Sequence, residues 1–215
     1  MLPLVHQLAR ADLARITHHF LQLDAEDRRL RFGSALNHAA IRSYCGKLDF
    51  DKDALFGVFG QVEGAPDAGL ALDGVAHLAL WRGTGEVGLS VLAAARGAGI
   101  GSLLFDRALL HARNSGVAEL FMHSLRENEA IRHIARRAGM RIVTDAHEAD
   151  AFLELPLATP FTVGQELYEQ QCALIDWTLK HQMARTKMAT AAATAAPPFL
   201  ISPVADSLKN RRVSP

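Results

Sequence analysis

The chain has 215 residues, of which 49% are hydrophobic and 21% are charged, as expected for a globular protein with a substantial core. Lys and Arg together number 23, and so do Asp and Glu, so no net charge attracts nucleic acid or an anionic membrane. No segment reaches the apolar length that spans a bilayer, and the first residues lack the pattern of a secretory signal. We therefore expect a cytoplasmic protein whose partners are neither nucleic acids nor membranes.

The two cysteines, Cys45 and Cys172, lie far apart in the sequence. Without an export signal, free thiols in a reducing compartment are expected rather than a disulfide. The sequence contains neither C-x-x-C nor H-E-x-x-H, so it predicts no metal site.

The first half of the chain reads as helices followed by a meander of strands. Apolar residues at helical spacing predict a helix over residues 6–23, and a second helix is predicted over residues 37–47. Three strand-like segments follow, with the sequences ALFGVFGQV, GVAHLALW and EVGLSVL. Clusters of Gly, Pro and Asp separate them, as is typical of hairpin turns.

The second half alternates helices with strands. The segment GSLLFDRALLHARNSG predicts a helix that Gly116 caps, and AELFMHSL predicts a strand. A helix over residues 127–138 ends at Gly139, and two closing strands follow. This order predicts a mixed α/β sheet with an antiparallel start.

Two prolines, Pro156 and Pro160, close a first domain over residues 1–158. Residues 159–190 predict a long helix with one broad apolar face, which docks on the domain or on a second copy of it. The apolar residues around Leu167, Leu174 and Trp177 are the predicted contact of a homodimer. Residues 191–215 are low in complexity and rich in proline, so we expect them to be disordered.

A glycine-rich turn between a strand and a helix carries the chemical signal. It runs from Arg96 through Gly99 to Gly101, and a helix begins at once. Glycines let the backbone approach a phosphate closely, and the helix start offers unpaired N–H groups and a positive dipole end. The turn therefore predicts a cradle for a pyrophosphate.

Several protein classes use glycines in this way. A Walker loop requires Gly-Lys-Ser/Thr, and no such lysine is present. A dinucleotide fingerprint would place Ser102 at its third glycine and lacks its acidic residue. The G-x-G-x-G of methyltransferases matches Gly97, Gly99 and Gly101, but Ala95 replaces the usual acidic residue. A turn that serves packing alone is the remaining alternative.

The pattern Arg96-x-x-Gly99-x-Gly101 resembles the coenzyme A signature of the GNAT superfamily of N-acetyltransferases. Further elements of that family follow in order, namely the strand ELFMHSL, a helix opened by Asn128 and the pair Gly139-Met140. The resemblance covers about residues 30–157. It implies the GNAT fold, an α/β (α+β) architecture with an antiparallel N-terminal meander and parallel strands that splay around a coenzyme A cleft.

The resemblance implies acetyl-CoA, or another acyl-CoA, as co-substrate, and no metal. The pyrophosphate is expected at the glycine loop, the pantetheine arm along the preceding strand, and the pantetheine end near Asn128, which equally reads as a helix N-cap. The residues implied to bind the coenzyme are Leu89, Ser90, Val91, Leu92, Arg96, Gly97, Ala98, Gly99, Ile100, Gly101, Ser102 and Asn128.

Acylation of an amine needs an uncharged nucleophile, and a carboxylate is the usual base. Related enzymes place such a base where this chain has Glu86; its alternative is a solvent-facing strand residue. The family's usual proton donor, a tyrosine, is replaced by Ala135, so His123 and Ser124 are candidates for that role. His77 either lines the acceptor side or is a half-buried histidine with its hydrogen bonds satisfied.

These features predict an N-acyltransferase in which an amine, on a small molecule or a protein lysine, attacks the thioester directly in a ternary complex. A non-catalytic acyl-CoA-binding regulatory module is the alternative, favoured by the missing tyrosine. An S-adenosylmethionine-dependent methyltransferase is disfavoured by Ala95 and by the meander before the loop.

Overall fold

The structure is a computed structural model that describes residues 3–61 and 70–195. Within these residues, seven strands form one sheet in the order β1-β2-β3-β4-β5-β7-β6. The strands are β1 (Val5–Leu8), β2 (Ala54–Gln61), β3 (Leu70–Trp81), β4 (Thr84–Val91), β5 (Glu119–Leu125), β6 (Arg141–Thr144) and β7 (Glu148–Glu154). Neighbouring strands are antiparallel except β4 and β5, which are parallel. The predicted mixed sheet with an antiparallel meander is confirmed.

Helices cover both faces of the sheet. They are α1 (Leu13–Gln22), α2 (Ala25–Phe32), α3 (His38–Gly46), α4 (Ile100–Asn114), α5 (Glu129–Arg137) and α6 (Pro160–Ala195). Leu55 and Phe56 are adjacent in β2 but belong to different core clusters, because successive side chains of a strand point to opposite faces. One cluster packs the sheet against α4 and α5, and the other packs it against α1 and α3.

The N-terminal prediction of one helix over residues 6–23 is wrong in its first part. Val5–Leu8 form strand β1, which pairs with the edge of β2 in the register Val5↔Val58 to Leu8↔Leu55. A one-turn 3-10 helix follows, and α1 begins only at Leu13. The backbone groups of β1 find their partners some fifty residues away in sequence, and this long-range pairing overrides the local helical spacing.

Helix α2 has no counterpart in the sequence prediction, although its caps are present. The Asp24 side chain accepts a hydrogen bond from the Asp27 N–H, and Gly33 ends the helix with a positive φ of 74°. The segment AEDRRLRF carries too few apolar residues to show helical periodicity. This helix nevertheless packs over β4 and β5.

The predicted C-terminal helix is α6, which runs to Ala195, five residues beyond the expected end of that segment. It packs against β1 and α4. Trp177 is half-buried against the core, whereas Leu167 and Leu174 are 56% and 58% exposed. The homodimer contact stays a prediction, and residues 196–215 of the expected tail lie outside the described residues.

Candidate functional site

The parallel strands β4 and β5 separate part-way along their length. Their pairing runs only from Thr84↔Glu119 to Glu86↔Phe121, whereas β4 continues to Val91 and β5 to Leu125. Among the described residues, one edge of β4 is therefore left without a strand partner beyond Glu86. A cavity of about 560 Å³ lies along this opening and continues to the glycine loop.

The predicted coenzyme-binding residues gather at this cavity, which we call the coenzyme cavity. Ten of the twelve line it, and Leu92 and Ala98 do not. Leu92 directs its N–H to the carbonyl oxygen of Asp73 at 2.8 Å and packs with the core cluster beneath α1. The glycine loop follows the end of β4 directly in the sequence, and residues of both segments line the same cavity.

The glycine loop has the conformation that an anion cradle requires. Gly97 and Gly99 have φ values of 80° and 77°, and a Cβ atom at either position would face open space. The first hydrogen bond of α4 runs from Leu103 N–H to Gly99 O at 3.1 Å. The N–H groups that precede Leu103 in the helix therefore have no acceptor within it. Together with the helix dipole they favour a negatively charged ligand.

Ser90 lines the coenzyme cavity, but its hydroxyl bonds to a buried histidine. His19 Nε2 accepts from Ser90 Oγ at 2.8 Å, and His19 Nδ1 donates to Leu72 O at 2.8 Å. Complete burial lowers the pKa of His19 from 6.5 to about 4, so the imidazole is neutral. The ring therefore links α1 to β3 and β4.

A second cavity of about 380 Å³ adjoins the coenzyme cavity, and Leu30 and Arg31 line both. We call it the acceptor cavity. All three predicted catalytic residues line it, namely Glu86, His123 and Ser124.

Strand alternation separates the three candidates. Glu86 and Phe121 face each other at the last parallel pair, which places His123 on the same sheet face as Glu86. His123 Nδ1 donates to Asp150 Oδ1 at 2.7 Å. The Ser124 side chain points to the other face, where its buried hydroxyl donates to Ala149 O at 3.1 Å.

Comparison with known proteins identifies the domain. The model of the acetyltransferase (GNAT) family matches residues 48–140, which include the glycine loop and the diverging strands. Residues 48–140 therefore form a domain of the GNAT family. No curated protein sequence matches the chain significantly.

Solved GNAT structures resemble the fold at low sequence identity. The GNAT domain of S. lividans PAT is 17% identical, with a TM-score of 0.56, and the match covers 70% of this chain and 89% of that one. Ribosomal-protein-alanine N-acetyltransferase from Brucella melitensis is 16% identical (TM-score 0.53; 71% and 99% covered). Spermidine N-acetyltransferase from Vibrio cholerae, in complex with CoA and spermine, is 17% identical (0.54; 70% and 94%). At these identities the likeness establishes the fold alone.

The N-cap of α5 and one position within the helix correspond to residues of the GNAT pattern. Asn128 lines the coenzyme cavity and caps the helix, since its side-chain oxygen accepts from Ile131 N–H at 3.2 Å. Ala135, where many relatives carry a tyrosine, is 1% exposed and packs in the core. The helix therefore supplies no hydroxyl at that position.

The Arg96 side chain spans the rim of the coenzyme cavity. Its guanidinium pairs with Asp27 of α2, and its Nε donates to Val91 O at 3.3 Å. Asp27 also lines the cavity. The contact ties α2 to the end of β4, so the arginine of the signature has a bracing contact in addition to its place in the loop.

The acceptor cavity borders a hydrogen-bonded chain of which the sequence analysis named only His77. Tyr44 Oη lies 2.9 Å from His77 Nδ1, and His77 Nε2 lies 3.0 Å from Asp53 Oδ2. Arg31 Nη2 lies 3.4 Å from Tyr44 Oη. These residues come from four separate segments, and no local pattern links them. The alternation of His77 with apolar neighbours was the one available signal.

The described residues contain no group of three or more His, Cys, Asp or Glu side chains placed to hold a metal ion. Among the helices of residues 3–61 and 70–195, none is long and apolar enough to cross a membrane.

Proposed function

We propose that this GNAT protein transfers an acyl group, acetyl in the first instance, from acyl-coenzyme A to an amine by direct attack in a ternary complex. One observation carries the proposal: the coenzyme cavity shares its lining residues Leu30 and Arg31 with a second cavity, whose wall includes Glu86. Two reactants held in adjoining cavities meet without a covalent enzyme intermediate.

The residues of the coenzyme cavity fit an acyl-coenzyme A, which when bound supplies an activated thioester. The N–H groups of residues 97–102 would hold the pyrophosphate, and the positive φ of Gly97 and Gly99 makes room for it. The unpaired edge of β4 after Glu86 would align the pantetheine arm. A backbone N–H of that edge would also stabilise negative charge on the carbonyl oxygen.

Glu86 is the group we propose to accept the proton of the amine, directly or through water. It lies on the wall of the acceptor cavity at the point where the strands separate. For the proton returned to the thiolate we propose His123 rather than Ser124: its imidazolium form would keep Nδ1–H on Asp150 and give up the proton of Nε2, leaving a neutral ring. The Ser124 hydroxyl already donates to Ala149 O on the opposite sheet face, whereas the His123 ring shares a face with Glu86.

We also propose a reducing, cytoplasmic location. Cys45 and Cys172 are both free thiols, which supports this location.

The proposal is tested first by coenzyme binding. Acetyl-CoA at about one hundred times its dissociation constant stabilises a protein by roughly 2.7 kcal/mol, so we expect a clear rise in Tm. Desulfo-coenzyme A should also raise the Tm, whereas S-adenosylmethionine should not. Absence of any shift with either coenzyme would overturn the assignment.

Catalysis is tested by thiol release in the presence of amines. We expect Glu86→Gln to lower kcat/KM by roughly 10²- to 10⁴-fold while the acetyl-CoA shift is retained. Glu154→Gln, an exposed position of β7 outside both cavities, is the matched control and should behave as the wild type. Binding of acetyl-CoA without turnover of any amine would support the second candidate, a non-catalytic module, which Ala135 at the tyrosine position favours.

A further inference from the structure

Arg31 stands where the coenzyme and acceptor cavities meet. It lies in the last turn of α2, and its guanidinium lies against β4 at Gly88. A Cβ atom at residue 88 would come within 2.5–2.6 Å of three guanidinium atoms of Arg31. Glycine at this position therefore makes room for a cation directly beside the opening between the strands.

A chain of hydrogen bonds holds this guanidinium without neutralising it. Asp53 accepts from His77 Nε2–H, and His77 Nδ1 then accepts from the Tyr44 hydroxyl. Burial lowers the pKa of His77, although Asp53 acts in the opposite direction, so the imidazole is neutral at pH 7. The oxygen of Tyr44 in turn accepts from Arg31 Nη2.

The positive charge of Arg31 has no carboxylate partner among the described residues. No Asp or Glu oxygen of residues 3–61 and 70–195 lies within 4.0 Å of its nitrogens, and its buried Nε has no hydrogen-bond acceptor. The rings of Phe20 and Phe32 lie 5.9 Å and 5.0 Å from the guanidinium carbon, which favours a cation but supplies no hydrogen bond. A fixed cation with spare donors at a cavity wall is suited to bind a carboxylate.

The opposite charge lies on the same wall. Glu86 precedes Gly88 by two residues on the same face of β4, a separation of about 7 Å along the strand. Glu86 and Arg31 form no ion pair with each other within the described part of the chain. One small cavity therefore presents a carboxylate and a cation that do not neutralise each other.

We propose that the acceptor is a small amine that carries a carboxylate close to its amino group, as an α-amino acid does. Arg31 binds the acceptor's carboxylate, and Glu86 faces its ammonium group. This inference rests on the proposed acyltransferase function and specifies its acceptor. A polyamine would place positive charge against Arg31 without compensation, and a lysine side chain of a protein would leave Arg31 unpaired.

The coenzyme itself does not account for this cation. The pyrophosphate cradle begins at Gly97, beyond the end of β4, and Gly88 lies roughly 10 Å before that end. Arg31 is thus placed at the reacting end of the cavity rather than at its phosphate end.

The test compares matched acceptors and variants in a thiol-release assay with acetyl-CoA. The panel contains the twenty L-amino acids, the amide of each, spermidine, and a lysine-containing peptide with blocked ends. We expect at least one amino acid to be acetylated and its amide to react roughly 10- to 150-fold less efficiently, the factor that one charge-assisted hydrogen-bonded contact provides.

Variants assign this preference to Arg31. In Arg31→Gln we expect kcat/KM for the amino acid to fall by the same factor, and kcat/KM for the amide to stay within about threefold of the wild-type value. Arg31→Lys should retain part of the preference for the amino acid. Arg29→Gln removes a neighbouring arginine that pairs at the surface with Glu26 and Glu127, and it should leave both values unchanged. The acetyl-CoA shift in Tm confirms that each variant is folded and binds the coenzyme.

The outcomes separate the two proposals. Acetyl-CoA binding with turnover of spermidine or the peptide, but of no amino acid, overturns the acceptor assignment alone. An equal loss for amino acid and amide in Arg31→Gln also overturns it and indicates a contact with the coenzyme. Failure of acetyl-CoA to bind overturns the proposed function, and the acceptor assignment with it.

Discussion

Replacement of Glu166 is expected to release the C-terminal helix α6 from the domain. Glu166 is 8% exposed and accepts three hydrogen bonds from α4, from Arg107 Nη1 at 3.0 Å, His111 Nδ1 at 2.6 Å and Asn114 Nδ2 at 2.7 Å. Arg107, at 3% exposed, is more deeply buried still. The ion pair therefore fastens α6 to the helix that begins at the glycine loop.

Two independent arguments give the loss of stability expected when Glu166 is replaced. Burial alone would raise the pKa of Glu166, but hydrogen bonds from His111 and Asn114 and the charge of Arg107 outweigh it and lower the pKa from 4.5 to about 2. This difference corresponds to about 3 kcal/mol of stability, present above pH 4.5 and lost as the pH falls toward 2. Removal of one partner of a buried ion pair typically costs about 3–5 kcal/mol. We therefore expect Glu166→Gln to lower the free energy of unfolding by about 3 kcal/mol at pH 7.

Urea unfolding followed by the fluorescence of Trp177 measures this effect, because the indole packs between α6 and the core. A Trp81→Phe background removes the other tryptophan, which is 70% exposed in the hairpin. Glu169→Gln is the control, since this carboxylate is half-exposed and 3.8 Å from Arg107 Nε; its expected cost is below about 1 kcal/mol. Equal losses below 1 kcal/mol in both variants would refute the reasoning.

Two further predictions concern α1 and the wall of the acceptor cavity. His19 is neutral when folded and has an ordinary pKa when unfolded, so its stabilising contribution is complete above pH 6.5 and falls by about 3 kcal/mol toward pH 4. Urea unfolding between pH 7 and 4 should show a correspondingly smaller pH dependence in His19→Asn, and an unchanged slope would contradict the assigned burial. A methyl group at residue 88 would displace the end of the Arg31 side chain. We therefore expect Gly88→Ala to destabilise the wild type by about 1 kcal/mol and to leave the stability of an Arg31→Ala background unchanged. A double-mutant cycle measures the difference. Equal costs in both backgrounds would show that the guanidinium does not rest on this glycine.

The parts of the fold that follow from the sequence are those decided by neighbouring residues. The positive φ at Gly99, Gly116 and Gly139 and the caps formed by Asn37 and Asn128 all occur where the sequence predicts an element to begin or end. Backbone conformation at these positions depends on one residue and its immediate neighbours, so a local pattern is sufficient. The glycine loop of the coenzyme cavity is predictable for the same reason.

Elements that depend on distant partners were not predictable in this way. Strand β1 is specified by its pairing with β2. Helix α2 is held by contacts of Arg96 with Asp27 and of Arg31 with β4, and by Phe32, which packs on the rings of Phe20 and Tyr44; a single aromatic residue makes no apolar stripe in the sequence. The sequence predicts Glu86 as a candidate base because β4 leads into the loop. It does not indicate that α2 places the guanidinium of Arg31 on the same cavity wall as Glu86.

Three aromatic rings explain how this cation reaches its position. Phe20 of α1, Phe32 of α2 and Tyr44 of α3 lie edge to face, with centroids 5.1–5.9 Å apart, so the three helices can pack in few other ways. The same packing directs the Tyr44 hydroxyl toward His77 and fixes Arg31 at the end of α2 beside Gly88. The selectivity proposed for the acceptor is therefore a consequence of core packing on one sheet face, whereas the proposed binding of the coenzyme depends on the backbone of the glycine loop and of the end of β4. A change in the aromatic cluster should accordingly alter the choice of acceptor before it alters the affinity for the coenzyme.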